Sequence, residues 1–265
     1  MPDDVRDAAT VLVLRDAASG LETLMLRRHG RSGFAADMWV FPGGVVDTAD
    51  ASLPPNRWTG IDPAALGPRF NTPADKVLAF HVAAVRETFE EAGLLLAHHA
   101  DGHAPDLSDP ALLRLRQDLA DRTTDVDFGA WLEEQDLVAD LGELTYLSHW
   151  LTPTVEPRRY DTRFFVATTP PGQDAGHDRL EITDQRWIAP QRALAERIPM
   201  IYPTIKTLQS LAEHDSVASV VRYAERQPLI RRLLPHAVLD DDGNLVALLH
   251  PDDPDYPAHL YEDSA

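Results

Sequence analysis

Cysteine is absent from this chain. That excludes disulfides, thiolate metal ligands and cysteine nucleophiles together, so any catalytic metal has to be held by oxygen or imidazole. Long apolar runs are lacking too: no stretch approaches the roughly 18 residues of a membrane span. The hydrophobic share of 44% still suffices for a core, so a globular protein without membrane contact is expected. Positive charge is scarce, with 24 Lys and Arg against 43 Asp and Glu, a net charge of −19. Such a surface repels phosphate backbones, and no basic stripe with interleaved aromatics offsets it, so nucleic acid is not an expected partner. A small anionic substrate remains compatible, given local arginines and a metal to screen the field. The N-terminus carries Asp3, Asp4 and Asp7 where a secretory signal has a basic start, and residues 261–265 match no retention or peroxisomal address; a cytoplasmic location is expected. Internal repeats are missing as well, and 265 residues suit one large domain or a core domain with an extension.

What the chain does have is Ala84-Val85-Arg86-Glu87-Thr88-Phe89-Glu90-Glu91-Ala92-Gly93-Leu94, which puts three carboxylates and an arginine into two helical turns. At about 100° per residue Glu87, Glu90 and Glu91 share one face, and Leu78, Val82, Val85 and Phe89 cluster on the other. Like charges at i, i+3 and i+4 repel by a few tenths of a kcal/mol per pair, whereas a hard divalent cation would make their proximity favourable. Three glutamates on a helix are more often a solvated face than a metal site. The Pro42-Gly43-Gly44 turn upstream is what shifts the balance, since paired glycines let the backbone turn sharply and bring a carbonyl close to a ligand.

In chain order, residues 10–15 and 21–28 read as a hairpin, followed by a basic, glycine-containing loop from Arg27 to Phe34 and a short strand at 38–41. Residues 51–74 are proline-rich without a sustained period and read as an inserted surface loop. Thr72 as N-cap, Pro73 at the first helical position and Asp75 near the positive end of the dipole start the carboxylate helix, which runs to about Leu94. Two helices at 109–122 and 128–137 form a helical insertion. Strands follow at 144–151, 161–168 and 181–188, then helices opening at Pro190 and covering 203–214 and 216–227, and a terminal hairpin around residues 239–245. His149 reads as a packed strand histidine, His98 and His99 as solvent-facing residues after the helix.

Gly44, Asp50 and Arg86-Glu87-Thr88-Phe89-Glu90-Glu91-Ala92-Gly93-Leu94 together resemble the Nudix box, with Thr88 in an apolar slot, Asp50 in place of Glu, and 35 residues (51–85) where the family has seven. A long insertion at this point is a feature of the coenzyme A diphosphatase branch that includes the animal peroxisomal enzyme. Residues 41–50, Ser148-His149-Trp150-Leu151-Thr152-Pro153 and the stretch from Pro157 to Phe165 are similar to that branch too.

The resemblance implies an α/β (α+β) Nudix fold, a mixed β-sheet between helices. The domain would span residues 1–200, with the 51–74 and 109–137 insertions, and a C-terminal helical extension at 201–265 would pack on it. It implies a metal-dependent hydrolase that cleaves the diphosphate of coenzyme A or acyl-coenzyme A to adenosine 3′,5′-bisphosphate and (acyl-)4′-phosphopantetheine. Metal ligands (Mg²⁺ or Mn²⁺) would be Glu87, Glu90, Glu91 and the Gly43 carbonyl, with Glu181 the candidate for a further carboxylate and Glu156 the second choice. Arg86 would orient Glu87, and Glu87 would be the base. Asp47 and Asp50 would fix the loop after Gly44. Arg27, Arg28, Arg31, Arg158 and Arg159 are the substrate-binding candidates, although arginines flanking strands also form structural ion pairs. Two alternatives stay open at this level: ADP-ribose or NADH as the substrate of the same reaction, and a non-catalytic Nudix-fold module. A homodimer is open too.

Overall fold

A computed structural model describes residues 5–31, 35–121, 123–124, 126–177 and 181–260. Residues 32–34 of the expected basic loop, Arg122 at the end of an expected helix, and the tail at 261–265 lie outside the described residues. The chain runs through strands β1 (Val5–Ala17), β2 (Gly20–Arg28), β3 (Trp39–Val40), β4 (Gly43–Val45) and β5 (Trp58–Thr59), then helices α1 (Pro63–Phe70) and α2 (Ala74–Ala92). Next come β6 (Ala97–His99), α3 (Pro110–Ala120), α4 (Phe128–Glu134), β7 (Leu137–Asp140), β8 (Thr145–Leu151), β9 (Arg159–Thr168) and β10 (Ile182–Ile188). The last third holds α5 (Pro190–Glu196), α6 (Tyr202–Leu211), α7 (Val217–Glu225), β11 (Arg232–Leu233), β12 (His236–Leu239) and β13 (Leu245–Leu249).

β1 is the middle of the molecule because its apolar run has two faces to bury. Ala9, Val11 and Val13 enter the core beneath α2, while Leu12 and Leu14 enter a second core with Leu208, Leu211, Val217 and Val220 of α6 and α7. Strands buried on both faces read as near-continuous apolar runs, as residues 8–14 do. The main sheet has the order β10-β2-β1-β9-β8-β11, with β3 on β2 and β4 on β1. β1 and β9 are parallel while β2, β4, β8 and β10 pair antiparallel, which makes the mixed sheet between helical layers that the resemblance implied.

Several sequence expectations need correction. The 51–74 segment contains β5 and the helix α1, whose Phe70 is buried and stacks on Tyr146 with ring centroids 4.0 Å apart. Pro63 and Pro68 hid it: Pro63 sits in the first turn, where no N–H is needed, while Asp62 caps Ala64 and Ala65 and Asn71 ends the helix in the left-handed region. Helix α2 begins one residue later than expected: Pro73 is its N-cap and accepts the first intrahelical bond from Val77, while Thr72 closes the end of α1 by donating its N–H to Gly67 O. The strands β6 and β7, which form a small sheet with β5, are too short to read as a period. They change the reading of His98, whose Nδ1 lies 2.8 Å from the Asp140 carboxylate across the β6–β7 pair and is half-buried there. Residues from 201 onward are helical only through α7; β11 then extends the main sheet at β8, and β12 and β13 form the hairpin.

Candidate active site

Helix α2 delivers the carboxylates. Its buried residues include Arg86, Glu87 and Glu91 as well as the apolar side, so the acidic face is covered rather than solvated. Thr88 takes its apolar slot by donating its hydroxyl to Ala84 O at 2.7 Å, which satisfies the group within the helix. Gly93 ends the helix in the left-handed region, and Arg116 of α3 donates to the carbonyls of Glu90 and Glu91 at 2.9 and 3.2 Å, a cationic C-cap that no local pattern announces.

Strand β4 lies directly beneath this end of the helix. Gly44 faces the Glu87 carboxylate so closely that an added Cβ would stand 2.5 Å from it, and only glycine leaves that space. Gly43 meets Glu91 through its backbone N–H, 3.0 Å from Oε2. The resemblance implies the Gly43 carbonyl as a metal ligand; the contact its backbone makes here is from the amide to Glu91.

Arg86 is fully engaged. Its Nε and Nη2 bind the Asp50 carboxylate in a fork at 3.1 and 2.9 Å, Nη1 donates to Glu87 Oε1 at 2.8 Å, and Nη2 also reaches Val45 O at 2.9 Å. Asp50 is buried and in turn accepts from the Asp47 N–H at 2.8 Å. These contacts give Asp50 the loop-fixing position expected for it and join the two halves of the motif across the insertion. Asp47 stands at the rim, 3.4 Å from Arg86.

Two more residues enter from the strand ends. Arg28, the last residue of β2, places Nη1 3.6 Å from Glu91 and Nη2 3.3 Å from Glu181, at the start of β10. Glu181 therefore joins the helix carboxylates, whereas Glu156 is exposed on the β8–β9 loop. Arg27 pairs with Asp37 at 3.5 Å, and Arg31 is exposed with its N–H on His29 Nδ1. Arg159 is buried and donates to Thr152 O. Its register partner is Val5, whereas Arg163 of the same strand pairs with Ala9, the partner of Gly44. Four residues of strand separate the two, so Arg159 and the exposed Arg158 lie about 13 Å along the sheet from the carboxylates. The structure groups Arg28 with the acids and leaves Arg158 and Arg159 apart from them. His149 is buried on β8, as expected, but it is also bonded to Asp161 and Arg163, a polar cluster that spacing alone does not reveal.

Glu87, Glu90, Glu91 and Glu181 are all hard oxygen donors, the class that suits Mg²⁺ or Mn²⁺. Glu90 records the cost of keeping them together: burial, then the charges of Glu87 and Glu91, push its pKa up to about 9. Among the described residues no three carboxylates or imidazoles converge closely enough to enclose an ion in this conformation. Glu87 is turned onto Arg86, and Glu91 onto Gly43 and Arg28. The donor chemistry and the excess of negative charge fit a divalent cation; the present pairings hold part of the donor set aside.

A family model described as the NUDT19 Nudix domain matches residues 64–199. The chain is 31% identical to the acyl-coenzyme A diphosphatase NUDT19 of Gallus gallus over 95% of this chain and 81% of the relative. To the Homo sapiens protein of the same name it is 30% identical, over 89% and 72%. Among solved structures, a NUDIX hydrolase from Alicyclobacillus acidocaldarius superposes with a TM-score of 0.68 at 29% identity, covering 84% of this chain and 97% of that one.

Proposed function

This chain belongs to the NUDT19 Nudix domain family and is a Nudix diphosphatase, and from that premise we propose that it hydrolyses the diphosphate of coenzyme A or its thioesters with Mg²⁺ or Mn²⁺. The products would be adenosine 3′,5′-bisphosphate and 4′-phosphopantetheine or its acyl form, with one water added across the P–O–P anhydride. The observation that supports the catalytic part is that Glu87 and Glu91 of α2 meet Gly44 and Gly43, with Glu90 between them on the helix and Glu181 brought up to Glu91 through Arg28. The substrate class rests on the likeness to the two acyl-coenzyme A diphosphatases, which extends over nearly the whole chain.

Glu90, Glu91 and Glu181, with Glu87 and the Gly43 backbone, would hold the cation. Bound there, it would neutralise the diphosphate oxygens and acidify a water. Arg86 holds the Glu87 carboxylate by one oxygen, which fixes its direction and leaves the other oxygen for a proton. Glu87 is accordingly the base in this scheme. Arg27 and Arg31, at the β2 end of the site, would add positive charge for an anionic substrate that carries a further phosphate.

The test is a panel of coenzyme A, acetyl-coenzyme A, ADP-ribose and NADH with each metal, with products identified by mass. Release of adenosine 3′,5′-bisphosphate with the highest kcat/KM for a coenzyme A compound is the expected result. Preference for ADP-ribose or NADH would replace the substrate assignment; tight binding without turnover under either metal would point to a binding module.

A further inference from the structure

Among the described residues, Arg86 and Arg28 face the carboxylates and are held in different ways. Arg86 makes a fork to Asp50 and direct bonds to Glu87 and Val45 O, all between 2.8 and 3.1 Å. Arg28 sits 3.6 Å from Glu91 and 3.3 Å from Glu181, and its Nε is buried with no hydrogen-bond partner. Charge-assisted N–H···O contacts are normally 2.7–2.9 Å, and a buried guanidinium nitrogen left unpaired is destabilising. Arg86 is therefore locked and Arg28 is held loosely, by charge more than by directed bonds. It nevertheless spans two carboxylates that come from different elements, the end of α2 and the start of β10.

Resting on the diphosphatase reading above, we propose that Arg28 is the resident counter-ion of the metal-free enzyme. In this role its guanidinium occupies the charge position between Glu91 and Glu181, and the divalent cation and Arg28 compete for those oxygens. A guanidinium within 3.3 and 3.6 Å of both carboxylates favours their charged forms. The chain supplies one of its own, which keeps the site assembled before metal arrives. When the carboxylates turn to the metal, the Arg28 guanidinium loses its partners while it remains anchored at the end of β2. Its five donors are then free for the anion that accompanies the metal, and a diphosphate offers the oxygens they lack. Metal and substrate are thereby linked through one side chain: each would favour the position of Arg28 that the other requires.

The experiment measures Mn²⁺ binding to the full chain without substrate, by the electron paramagnetic resonance signal of free Mn²⁺, for the wild type, Arg28→Met and Arg28→Lys. Arg28→Met removes the competing charge and keeps an apolar stem, so Mn²⁺ affinity should rise roughly tenfold while KM for the diphosphate substrate also rises roughly tenfold. Arg28→Lys retains a cation and should stay within about threefold of wild-type Mn²⁺ affinity, which separates charge from packing. If Arg28→Met is folded by circular dichroism and its Mn²⁺ affinity is unchanged or weaker, the proposal is wrong. If Arg28→Met does not fold, Arg28→Gln takes its place with the same two outcomes. A wild type that binds Mn²⁺ but does not cleave coenzyme A, combined with tighter Mn²⁺ binding by Arg28→Met, overturns the substrate assignment and supports the counter-ion role. A wild type that binds no Mn²⁺ overturns both.

Discussion

Glu90 is the helix carboxylate whose nearest cation is furthest away: Arg86 Nη1 lies 3.9 Å off, while Glu87 has the same atom at 2.8 Å. Without a metal it keeps a proton, so Glu90→Gln imitates the metal-free state in shape and charge. We expect the variant to lose metal-dependent turnover by on the order of a hundredfold or more, with its circular dichroism unchanged. Its stability should also differ in sign from a usual core substitution. The Glu90 pKa is raised from 4.5 to about 9, so the folded state holds a proton that the unfolded state has released across that window. Metal-free wild type therefore loses stability as pH rises from 4.5 to about 9, and Glu90→Gln should not share that loss. Urea unfolding in the presence of a chelator at pH 5, 7 and 8.5 measures it; a constant gap between the two proteins would contradict the assignment. His81 provides the opposite slope. It is fully buried against Phe70 and Phe165, donates from Nδ1 to Val77 O at 2.7 Å, and burial pulls its pKa down from 6.5 to about 4. The unfolded chain takes up a proton there first, so stability falls as pH drops from 6.5 towards 4. In His81→Phe that contribution should vanish, and unfolding midpoints compared at pH 4.5, 5.5 and 7 should show a difference that shrinks towards acid.

The close pairing of α2 with β4 puts the glycine turn in direct contact with the carboxylates of the proposed site. Gly44→Ala would drive a methyl group into the Glu87 carboxylate, which cannot retreat without leaving Arg86. The expected result is a fall in kcat on the order of a hundredfold with secondary structure preserved, since a displacement of about 1 Å is enough to misplace a catalytic group. Full activity in that variant would mean Glu87 is not in the catalytic arrangement. Elements of this kind were the readable part of the chain. The carboxylate helix and the Gly43-Gly44 turn are legible from the residues because spacing and charge are local properties, whereas Asp50 is singled out only by the resemblance to the Nudix box. Glu181 is nominated by the resemblance, which implies a further carboxylate from a later strand, and its approach to Arg28 is a tertiary fact. The remainder was hidden for identifiable reasons. Arg116 caps α2 from another helix, α1 was masked by Pro63 in its first turn and Pro68 inside it, and β6 and β7 are too short to carry a period. Arg159 is a substrate-binding candidate by its charge, and its Nε–H bond to Thr152 O is a tertiary contact that sequence does not report.

At the level of the molecule, two cores share one sheet, and the segments added to the motif reach across to the C-terminal helices. Arg69 of α1 shows the connection: its guanidinium donates to Tyr146 O of β8 at 3.2 Å and to Ala224 O near the end of α7. Arg69→Met keeps the stem and removes both bonds, and should destabilise the protein by about 1–3 kcal/mol in urea titrations. Hydrogen exchange should rise together in α1 and the last turn of α7, and faster exchange in only one of them would show that they are not coupled. No helix among the described residues is long and apolar enough to cross a membrane. The fork between Arg86 and Asp50 has a consequence for how such a chain can diversify. It bonds residues 36 positions apart, and so fixes both ends of the segment between them independently of its content. Lengthening a closed loop from seven residues to 35 costs only about 1.4 kcal/mol in closure entropy, an amount that one buried, bidentate ion pair can offset. The stretch from Ala51 to Pro73 is thus closed at its base by the motif itself, and its far end is tied to the sheet by Phe70 and Arg69 of α1, so changes of length are absorbed between those two anchors while the carboxylates keep their places.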